Sequence, residues 1–232
     1  MGTPDRIFTP ERRETSLVKA TRLEPHGMCG GVVAAVNFTE LFLNIVAGRE
    51  PVLTFNEIVH NHKINQRFQE KGLVVIRERT ADGDWPYYMV PDNSLVLGPA
   101  HGHKEVDIVE LERSGCIFFP TVCKLVANEW DEVEEASGAG KMILLFGKSG
   151  HPEPKGTLSH ASVDSMRLIS SVEDIVEYVS SSDFDPNRDH VMANQTTQSL
   201  RDIWEARQRA IDLIPRININ DKRGGCYATD NR

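Results

Sequence analysis

Apolar and polar positions follow two rhythms along the chain, and their alternation predicts its secondary structure. Short runs rich in β-branched and aromatic residues predict strands at 16–23, 51–55, 73–77, 94–97, 116–119, 142–146, 166–169, 190–193 and 216–219. Stretches with apolar residues three or four positions apart predict helices at 32–47, 63–71, 104–114, 123–136, 172–180 and 197–213. Such strand–helix alternation predicts an α/β fold with parallel sheets and right-handed crossovers.

The chain is long enough for one large domain or for two α/β lobes, each with a buried core. A boundary near residue 121 divides the predicted elements evenly, which gives a first lobe of residues 1–121 and a second of residues 122–232. The polar, proline-bearing segment 180–188 is predicted to be a loop within the second lobe. The last predicted helix has apolar residues that suit one buried face, at Leu200, Ile203, Trp204, Ile211 and Ile214.

Composition and net charge disfavour several classes of function. Apolar residues make up 40% of the chain and charged residues 26%, as in ordinary globular proteins. The net charge of −8 disfavours sequence-independent binding to nucleic acid or to an anionic membrane, so neither is expected as a partner. The first sixteen residues lack the apolar core of a secretory signal, and the apolar runs 32–36 and 142–146 are too short to span a bilayer. A cytoplasmic location is therefore expected.

Four cysteines without an export signal indicate working thiols or core residues rather than a disulfide framework. No two of them form a C-x-x-C pair, so any shared site must be assembled by the fold. Cys29 lies in a glycine-rich loop before an apolar helix, where the helix dipole would stabilise a thiolate; the alternative is a tight turn with a buried cysteine. Cys226 follows two glycines near the end of the sequence, whereas Cys116 begins an apolar run and is predicted to be core.

Histidines are concentrated in three loops that follow predicted strands. Two loops contain H-x-H triplets, His60 with His62 and His101 with His103, and the third contains His151. A single loop histidine is usually only solvated, but three such loops in an α/β chain favour one convergent pocket. H-x-H triplets also suit zinc, so a metal site of that kind remains open at this point.

The triplet Gln195–Thr197 follows a predicted strand and begins a predicted helix. Free backbone N–H groups and threonine hydroxyls at such a position can bind phosphate. The commoner use of this arrangement is N-capping of the helix by Thr197, and the sequence leaves both uses open.

Taken in order, these segments resemble the fingerprints of the 4-hydroxy-3-methylbut-2-enyl diphosphate reductases, the LytB/IspH family. The family's motifs G-F-C-x-G-V, H-N, A-H-G, G-H-P-E-x-x-G-T, Q-T-T and I-C-x-A-T-x-x-R correspond here to 27–32, 60–61, 100–102, 150–157, 195–197 and the stretch ending at 226–232. Six motifs in the same order make chance a poor explanation.

The resemblance implies IspH-like αβα lobes with parallel sheets around a central iron–sulfur site, with two of the family's three lobes present. By motif, Cys29, Cys123 and Cys226 would hold a cubane [4Fe–4S] cluster. Three protein ligands for four irons leave one iron open to act as a Lewis acid on the substrate hydroxyl.

The resemblance also implies the reaction. Family members remove the hydroxyl of an allylic diphosphate reductively and yield isopentenyl and dimethylallyl diphosphates, with two electrons from an external donor such as ferredoxin or flavodoxin. Carried over by position, His60, His101 and His151 would contact the diphosphate, with His151 also in the catalytic group. Glu153 would deliver protons, and Thr196 would orient the hydroxyl or a water.

The sequence departs from the family pattern at several positions. Lys124 follows the second cysteine where the family has proline, which leaves Cys116 as a rival ligand, and His103 replaces a small apolar residue. The position that usually holds arginine after the first cysteine loop is Ala34 or Ala35.

The sequence also stops where the family continues into a third lobe with a diphosphate-binding serine/asparagine motif. A truncated product, a second chain that supplies that lobe, or loss of the reaction would each account for this. The competing functions are therefore an inactive or regulatory paralogue that binds a cluster or a partner, and a zinc hydrolase that uses the H-x-H triplets with Glu153.

Overall fold

The computed structural model describes residues 11–14, 19–22, 28–48, 50–77, 87–219 and 226. The strands are β1 Glu11–Glu14, β2 Lys19–Arg22, β3 Val52–Phe55, β4 Leu73–Ile76, β5 Leu95–Leu97, β6 Ile117–Phe119, β7 Met142–Phe146, β8 Met166–Ile169, β9 His190–Asn194 and β10 Ile217–Asn218. The helices are α1 Gly30–Val46, α2 His62–Glu70, α3 Glu105–Arg113, α4 Lys124–Gly138, α5 Pro152–Leu158, α6 Val172–Ser180 and α7 Leu200–Leu213.

Two parallel four-stranded sheets form the framework. The first has the strand order β4-β3-β5-β6 and the second the order β10-β9-β7-β8, while β1 and β2 make a separate antiparallel pair. The first sheet starts at β3, adds β4 on one side and then adds β5 and β6 on the other side. The second sheet likewise starts at β7, adds β8 on one side and then adds β9 and β10 on the other. Neighbouring strands β3 and β5, and likewise β7 and β9, therefore flank a topological switch point.

Each sheet is covered by helices on both faces. All residues of β3 and β7 are buried, because central strands of a parallel sheet have no solvent-facing side. The first sheet packs against α1 and α2 on one face and α3 on the other, through Phe68 and Leu111 among others. The second packs against α6 and α7 on one face and α4 on the other. This confirms the predicted α/β class with αβα lobes.

An aromatic stack, here called the interlobe stack, joins the two sheets. It consists of Phe118, His103, Trp130 and His160, with ring centroids 4.8, 5.1 and 4.3 Å apart in that order; His103 meets Phe118 and Trp130 edge-on, and Trp130 stacks on His160. Phe118 is on β6 and His103 lies just before α3, beside the first sheet. Trp130 is on α4 and His160 follows α5, beside the second sheet. Burial lowers the pKa of His103 to about 4, with a smaller effect from His160, so His103 is neutral at physiological pH.

Three sequence predictions need correction. Helix α5 was predicted as loop, because its proline start and internal glycine conceal a short helix capped by His151. Helix α7 begins at Leu200 and is capped by Ser199, so Thr197 is not its N-cap. The buried face of α7 also excludes Trp204 and Ile211.

The face of α7 is set by a different stripe of residues. Trp204 and Ile211 are exposed, whereas Ile203, Ala206 and Ala210 are buried against the second sheet. Small alanines allow the helix to approach the sheet closely, and a pattern search that counts only large apolar residues misses them.

The remaining elements agree with the sequence predictions within one or two residues, apart from β1, which was not predicted. The predicted strand 16–23 contains β2, and its other residues lie outside the described ranges. The boundary predicted near residue 121 lies between β6 and α4, and this division into lobes stays a prediction. Within the described residues, no helix has the length and apolar character needed to cross a membrane.

Candidate active site

A cavity of about 200 Å³ lies between the two sheets. All eight site residues predicted from the sequence line it: Cys29, His60, His101, Cys123, His151, Glu153, Thr196 and Cys226. Thr197 and Asn61 also contribute, together with an apolar wall of Met28, Val32, Val59, Ala100, Leu125 and Val126. A more open cleft of about 280 Å³ lies near the opposite end of β3, and among its lining residues only Glu50 and Lys71 are charged. The chemically rich cavity is therefore the candidate site.

The switch points determine which loops reach the cavity. His60 and His101 follow β3 and β5 of the first sheet, and His151 and Thr196 follow β7 and β9 of the second. Carboxyl ends of parallel strands form a crevice where the crossovers diverge, and side chains from both flanking loops converge there. In this chain the two crevices face each other, so residues far apart in sequence share one cavity.

Two of the cavity's cysteines stand at helix amino termini. Cys29 is the N-cap of α1 and Cys123 is the N-cap of α4, and neither thiol caps its own helix by a side-chain hydrogen bond. Neither thiol is therefore occupied in capping its helix, and both residues line the same cavity. The predicted helix-terminal position of Cys29 is confirmed.

The two helix ends are in close contact. A Cβ atom placed on Gly31 would stand 2.5 Å from the Sγ atom of Cys123, closer than van der Waals contact allows. The backbone N–H of Cys123 also donates to Ala100 O at 2.9 Å, which ties α4 to the loop that carries His101. Gly31 therefore makes room for the second cysteine beside the first.

The other two cysteines have different surroundings. The backbone N–H of Cys226 donates to Thr196 O at 2.5 Å, which brings this residue to the β9 loop. Cys116 is buried in the first sheet's core, and its thiol lies 3.5 Å from Pro91 O. Cys116 is therefore core, as predicted, and does not line the cavity.

The three cavity histidines form one group. The rings of His60 and His101 stack with centroids 4.8 Å apart, and the ring of His151 meets that of His60 edge-on at 5.8 Å. Burial, with the charges of His60 and Lys148, holds the pKa of His151 below its usual range. An anion beside the group would favour the protonated form of His151, so the group suits an anionic ligand.

The second histidine of each triplet points elsewhere. His62 is the first residue of α2 and does not line the cavity, and His103 belongs to the interlobe stack. Across the described part of the chain, no three His, Cys, Asp or Glu side chains are arranged to hold a single metal ion. The zinc hydrolase hypothesis thus finds no ligand set in these residues.

Glu153 is a buried carboxyl with defined partners. Its side chain is on α5, and the residue is 2% exposed. The backbone N–H of Thr196 donates to Oε1 at 2.5 Å, and the hydroxyl of Thr197 lies 3.5 Å from Oε2. Burial raises the pKa of Glu153, and the hydrogen bonds from Thr196 and Thr197 oppose that rise. A carboxyl of this kind is suited to act as a general acid near neutral pH.

Gln195 and Asn65 are two site residues whose roles the sequence analysis did not predict. The side chain of Gln195 accepts from the N–H of Lys148 at 2.9 Å and donates to the Thr197 hydroxyl at 2.7 Å, which directs that hydroxyl. Asn65 accepts from Ile58 N–H at 3.1 Å and donates to the carbonyls of Val59 and Asn61. It therefore fixes the loop that carries His60. In the sequence, each of these residues is only an amide near the end of a predicted strand, which is a weak indication of a role in the site.

The fold and the cavity define an α/β protein that brings three thiols, three imidazoles and one buried acid together at facing switch points. A sequence profile of the family described as "LytB protein" matches residues 21–232. The chain belongs to this LytB family.

Individual members of the family are similar to the chain in sequence. The 4-hydroxy-3-methylbut-2-enyl diphosphate reductase of Shewanella pealeana is 32% identical over 210 residues, which are 90% of this chain and 63% of the relative. That of Actinobacillus pleuropneumoniae serotype 7 is 34% identical over 211 residues, 90% of this chain and 62% of the relative. The chain thus spans less than two thirds of the length of these curated relatives.

Solved structures show the same fold. The E-1-hydroxy-2-methyl-but-2-enyl-4-diphosphate reductase of Plasmodium falciparum superposes with a TM-score of 0.78 at 24% identity, covering 90% of this chain and 61% of that one. A structure of (E)-4-hydroxy-3-methyl-but-2-enyl diphosphate reductase gives 0.69 at 21% identity, with 85% and 65% covered.

Replacement of Asn65 by alanine tests the support of the His60 loop. We expect the free energy of unfolding to fall by about 2 kcal/mol, because the buried Ile58 N–H loses its partner and the carbonyls of Val59 and Asn61 each lose one of their donors. Urea denaturation measures the change. Gln66→Ala on the same helix removes an exposed amide whose partner is Glu70, and it should cost no more than about 0.5 kcal/mol. Equal losses in both variants would contradict a specific role for Asn65.

The raised pKa of Glu153 makes a prediction about stability and pH. The folded chain binds this proton more tightly than the unfolded chain, so the associated stability is present at low pH and is lost as pH rises through the raised pKa. The side chain of the Glu153→Gln variant does not titrate, so this variant does not lose stability in this way as pH rises. Its stability relative to the wild type should therefore increase between about pH 5 and about pH 8, measured by urea denaturation. The exposed Glu177→Gln variant should show no such trend.

Proposed function

We propose that this chain holds a [4Fe–4S] cluster through Cys29, Cys123 and Cys226 and takes part in reducing 4-hydroxy-3-methylbut-2-enyl diphosphate to isopentenyl and dimethylallyl diphosphates. One observation carries the proposal: three cysteines far apart in sequence line the same cavity as three histidines and a buried glutamate. Membership of the LytB family supports the same reading.

The donor set suits the cluster. Cys29 and Cys123 lie at helix amino termini, and cysteine thiolates are the ligands that iron–sulfur clusters take in proteins. Lys124, which stands in place of the family's proline, is exposed on the first turn of α4. In a cubane each thiolate binds a different iron, so the sulfurs stand wider apart than the ligands of one ion. The lack of a single-ion ligand group within the described ranges is consistent with that geometry.

The anionic end of the substrate would bind at the histidine group. His60, His101 and His151 line one side of the cavity, and Lys148 lies close enough to His151 to affect its pKa. Asn61, the N-cap of α2, places a helix amino terminus beside His60. Imidazoles, an ammonium group and helix N–H groups are all suited to a diphosphate, and they give a chain of net charge −8 a local site for an anion.

Glu153 would supply protons to the substrate. When bound, the cluster would offer a Lewis-acidic iron to the hydroxyl and pass on electrons from an external carrier such as ferredoxin or flavodoxin. Removal of the hydroxyl as water and formation of a new C–H bond consume two electrons and two protons. The buried Glu153, held by Thr196 and within reach of the Thr197 hydroxyl, is positioned to give a proton at the cavity wall.

We further propose that another segment or another chain covers the cavity. About a third of the relative's length lies outside the match, and apolar side chains stand exposed at the cavity rim, with Met28 44% and Leu125 42% exposed. Exposed apolar residues around a site mark a surface that becomes buried in the functional state. Such a cover would also keep solvent away from the thiols and from Glu153.

Substitution of single cysteines tests the cluster. After anaerobic purification, the wild type should be brown, with iron and sulfide in near-equal amounts. Cys29→Ser, Cys123→Ser and Cys226→Ser should each lose most of the iron, while Cys116→Ser should keep it because Cys116 belongs to the core. Zinc in a colourless wild type, or loss of iron in the Cys116 variant, would refute the ligand assignment.

Substitution of Glu153 by glutamine tests the proton donor. The colour and iron content should be unchanged, since the carboxyl is not a proposed ligand, and kcat with a reduced carrier should fall by a factor of about 10² to 10⁴. The exposed Glu177→Gln variant is the control. Full turnover in Glu153→Gln would remove this residue from the mechanism. A brown wild type without any turnover would favour the alternative function, a cluster-binding paralogue that is inactive or regulatory.

A further inference from the structure

The outward side of α1 exposes a row of apolar side chains, here called the α1 stripe. The stripe consists of Ala34, Phe38, Leu41 and Ile45, and this spacing places all four on one side of the helix. Ala34 is exposed, and the other three are 40%, 60% and 63% exposed in that order. Val32, which lines the cavity, is on the opposite side of α1. The stripe is therefore a surface separate from the candidate active site.

The apolar surface continues from α1 onto the edge of the first sheet. The ring of Phe38 stacks with that of Phe42, with centroids 6.0 Å apart, and the ring of Phe42 lies 4.5 Å from that of Phe119 on β6. Ile117 shares a face of this edge strand with Phe119 and is 56% exposed. A contiguous exposed apolar patch of this kind marks an interaction surface.

The second sheet provides an internal comparison for α1. Its strand order β8-β7-β9-β10 repeats the order β4-β3-β5-β6 of the first sheet, and α4, like α1, runs from a cavity cysteine to the strand that starts its sheet. The exposed residues of α4 include Asp131, Glu134 and Glu135. A helix in this position can thus present an acidic side to solvent. The fold therefore does not require the apolar outward side of α1.

Charge favours a second copy of this chain as the occupant of the stripe. With a net charge of −8, two copies repel each other overall. Glu40 is the single charged residue in the sequence of α1, and it pairs with Arg67 and with Lys71 at 2.7 Å in each case. Asn37 and Asn44 flank the stripe with uncharged amides. On this side of α1, two acidic chains can meet without opposing unpaired like charges.

The stripe is also complementary to itself. If two copies of α1 pack antiparallel about a two-fold axis at the middle of the stripe, Phe38 lies opposite Leu41 of the second copy, and Ala34 lies opposite Ile45. The smallest side chain of the stripe then faces a large one at each end. Such pairing of small with large residues allows two helices to approach closely without a clash or a gap.

We propose that the α1 stripe is the interface of a symmetric homodimer of this chain. The 17 residues of α1 form a helix about 25 Å long. Pairing two such helices together with their flanks buries on the order of 1,000 Å² in total, which is at the lower limit for a specific interface. The dimer therefore forms reversibly, with a Kd of about 1 to 100 µM. This association does not depend on the proposed reductase reaction.

Sedimentation velocity of the anaerobically purified chain tests the dimer. Between about 1 and 300 µM, the wild type should change from monomer to dimer. Leu41→Glu should raise the Kd at least about tenfold, because each copy would bury an unpaired carboxylate opposite Phe38. Trp204→Glu makes the same kind of change at a side chain of α7 that is 62% exposed and outside the stripe, so its Kd should match that of the wild type. Circular dichroism should show both variants folded, since both positions are exposed.

Three outcomes of this experiment would overturn the proposal. A dimer that withstands Leu41→Glu would place the interface elsewhere, and a dimer that is lost in Trp204→Glu would place it on α7. A wild type that stays monomeric throughout would indicate a different polypeptide as the occupant of the stripe.

Disulfide crosslinking tests the antiparallel register and needs no turnover. The double variant Ala34→Cys/Ile45→Cys places two thiols opposite each other at both ends of the stripe, so mild oxidation should link two copies covalently. In either single variant the two introduced thiols are about 16 Å apart along the helix axis, too far for a disulfide. The wild type controls for the native cysteines on a non-reducing gel. Equal crosslinking in a single variant and in the double variant would contradict the register and with it the interface.

Discussion

Parallel strands end on the same edge of a sheet, and this geometric constraint organises the molecule. In each sheet the chain reverses its direction of travel once, between β3 and β5 and between β7 and β9. Each reversal opens a crevice beyond the strand ends, because the two flanking crossovers leave in opposite directions. The interlobe stack turns these crevices toward each other. Without this arrangement the histidines, Glu153 and the cysteines would belong to separate surfaces.

The electrostatic character of the cavity follows from the same arrangement. Four helices begin at its edge, with Cys29, Asn61, Cys123 and His151 as their N-caps. Each helix amino terminus carries a partial positive charge, so the cavity favours anions although the whole chain is acidic. An anionic ligand can thus be stabilised by these backbone groups, while a buried carboxyl such as Glu153 is held by N–H donors rather than by a cation.

Much of this could be predicted from the sequence. The apolar runs of β3 and β7 identify central parallel strands because burial on both faces requires continuous hydrophobicity. The motif residues identify the cavity lining because loops after such strands meet at one edge. The sequence does not predict α5, since a short helix with proline and glycine depends on the tertiary packing around His151. It also misses Asn65, since an amide group on an amphipathic helix is usually solvated, and its burial depends on the opposing elements.

The interlobe stack has a consequence for the behaviour of the molecule in acid. His103 lies between Phe118 and Trp130, where a charged imidazolium has no counterion among the rings it touches. Its pKa of about 4 means that the unfolded chain takes up this proton at a higher pH than the folded chain does. Acidification below the usual histidine pKa therefore weakens this contact between the two sheets, and it also destabilises the buried His190 of β9, whose pKa is likewise lowered by burial. Loss of the cavity, to which both sheets contribute residues, is therefore an expected consequence of acidification.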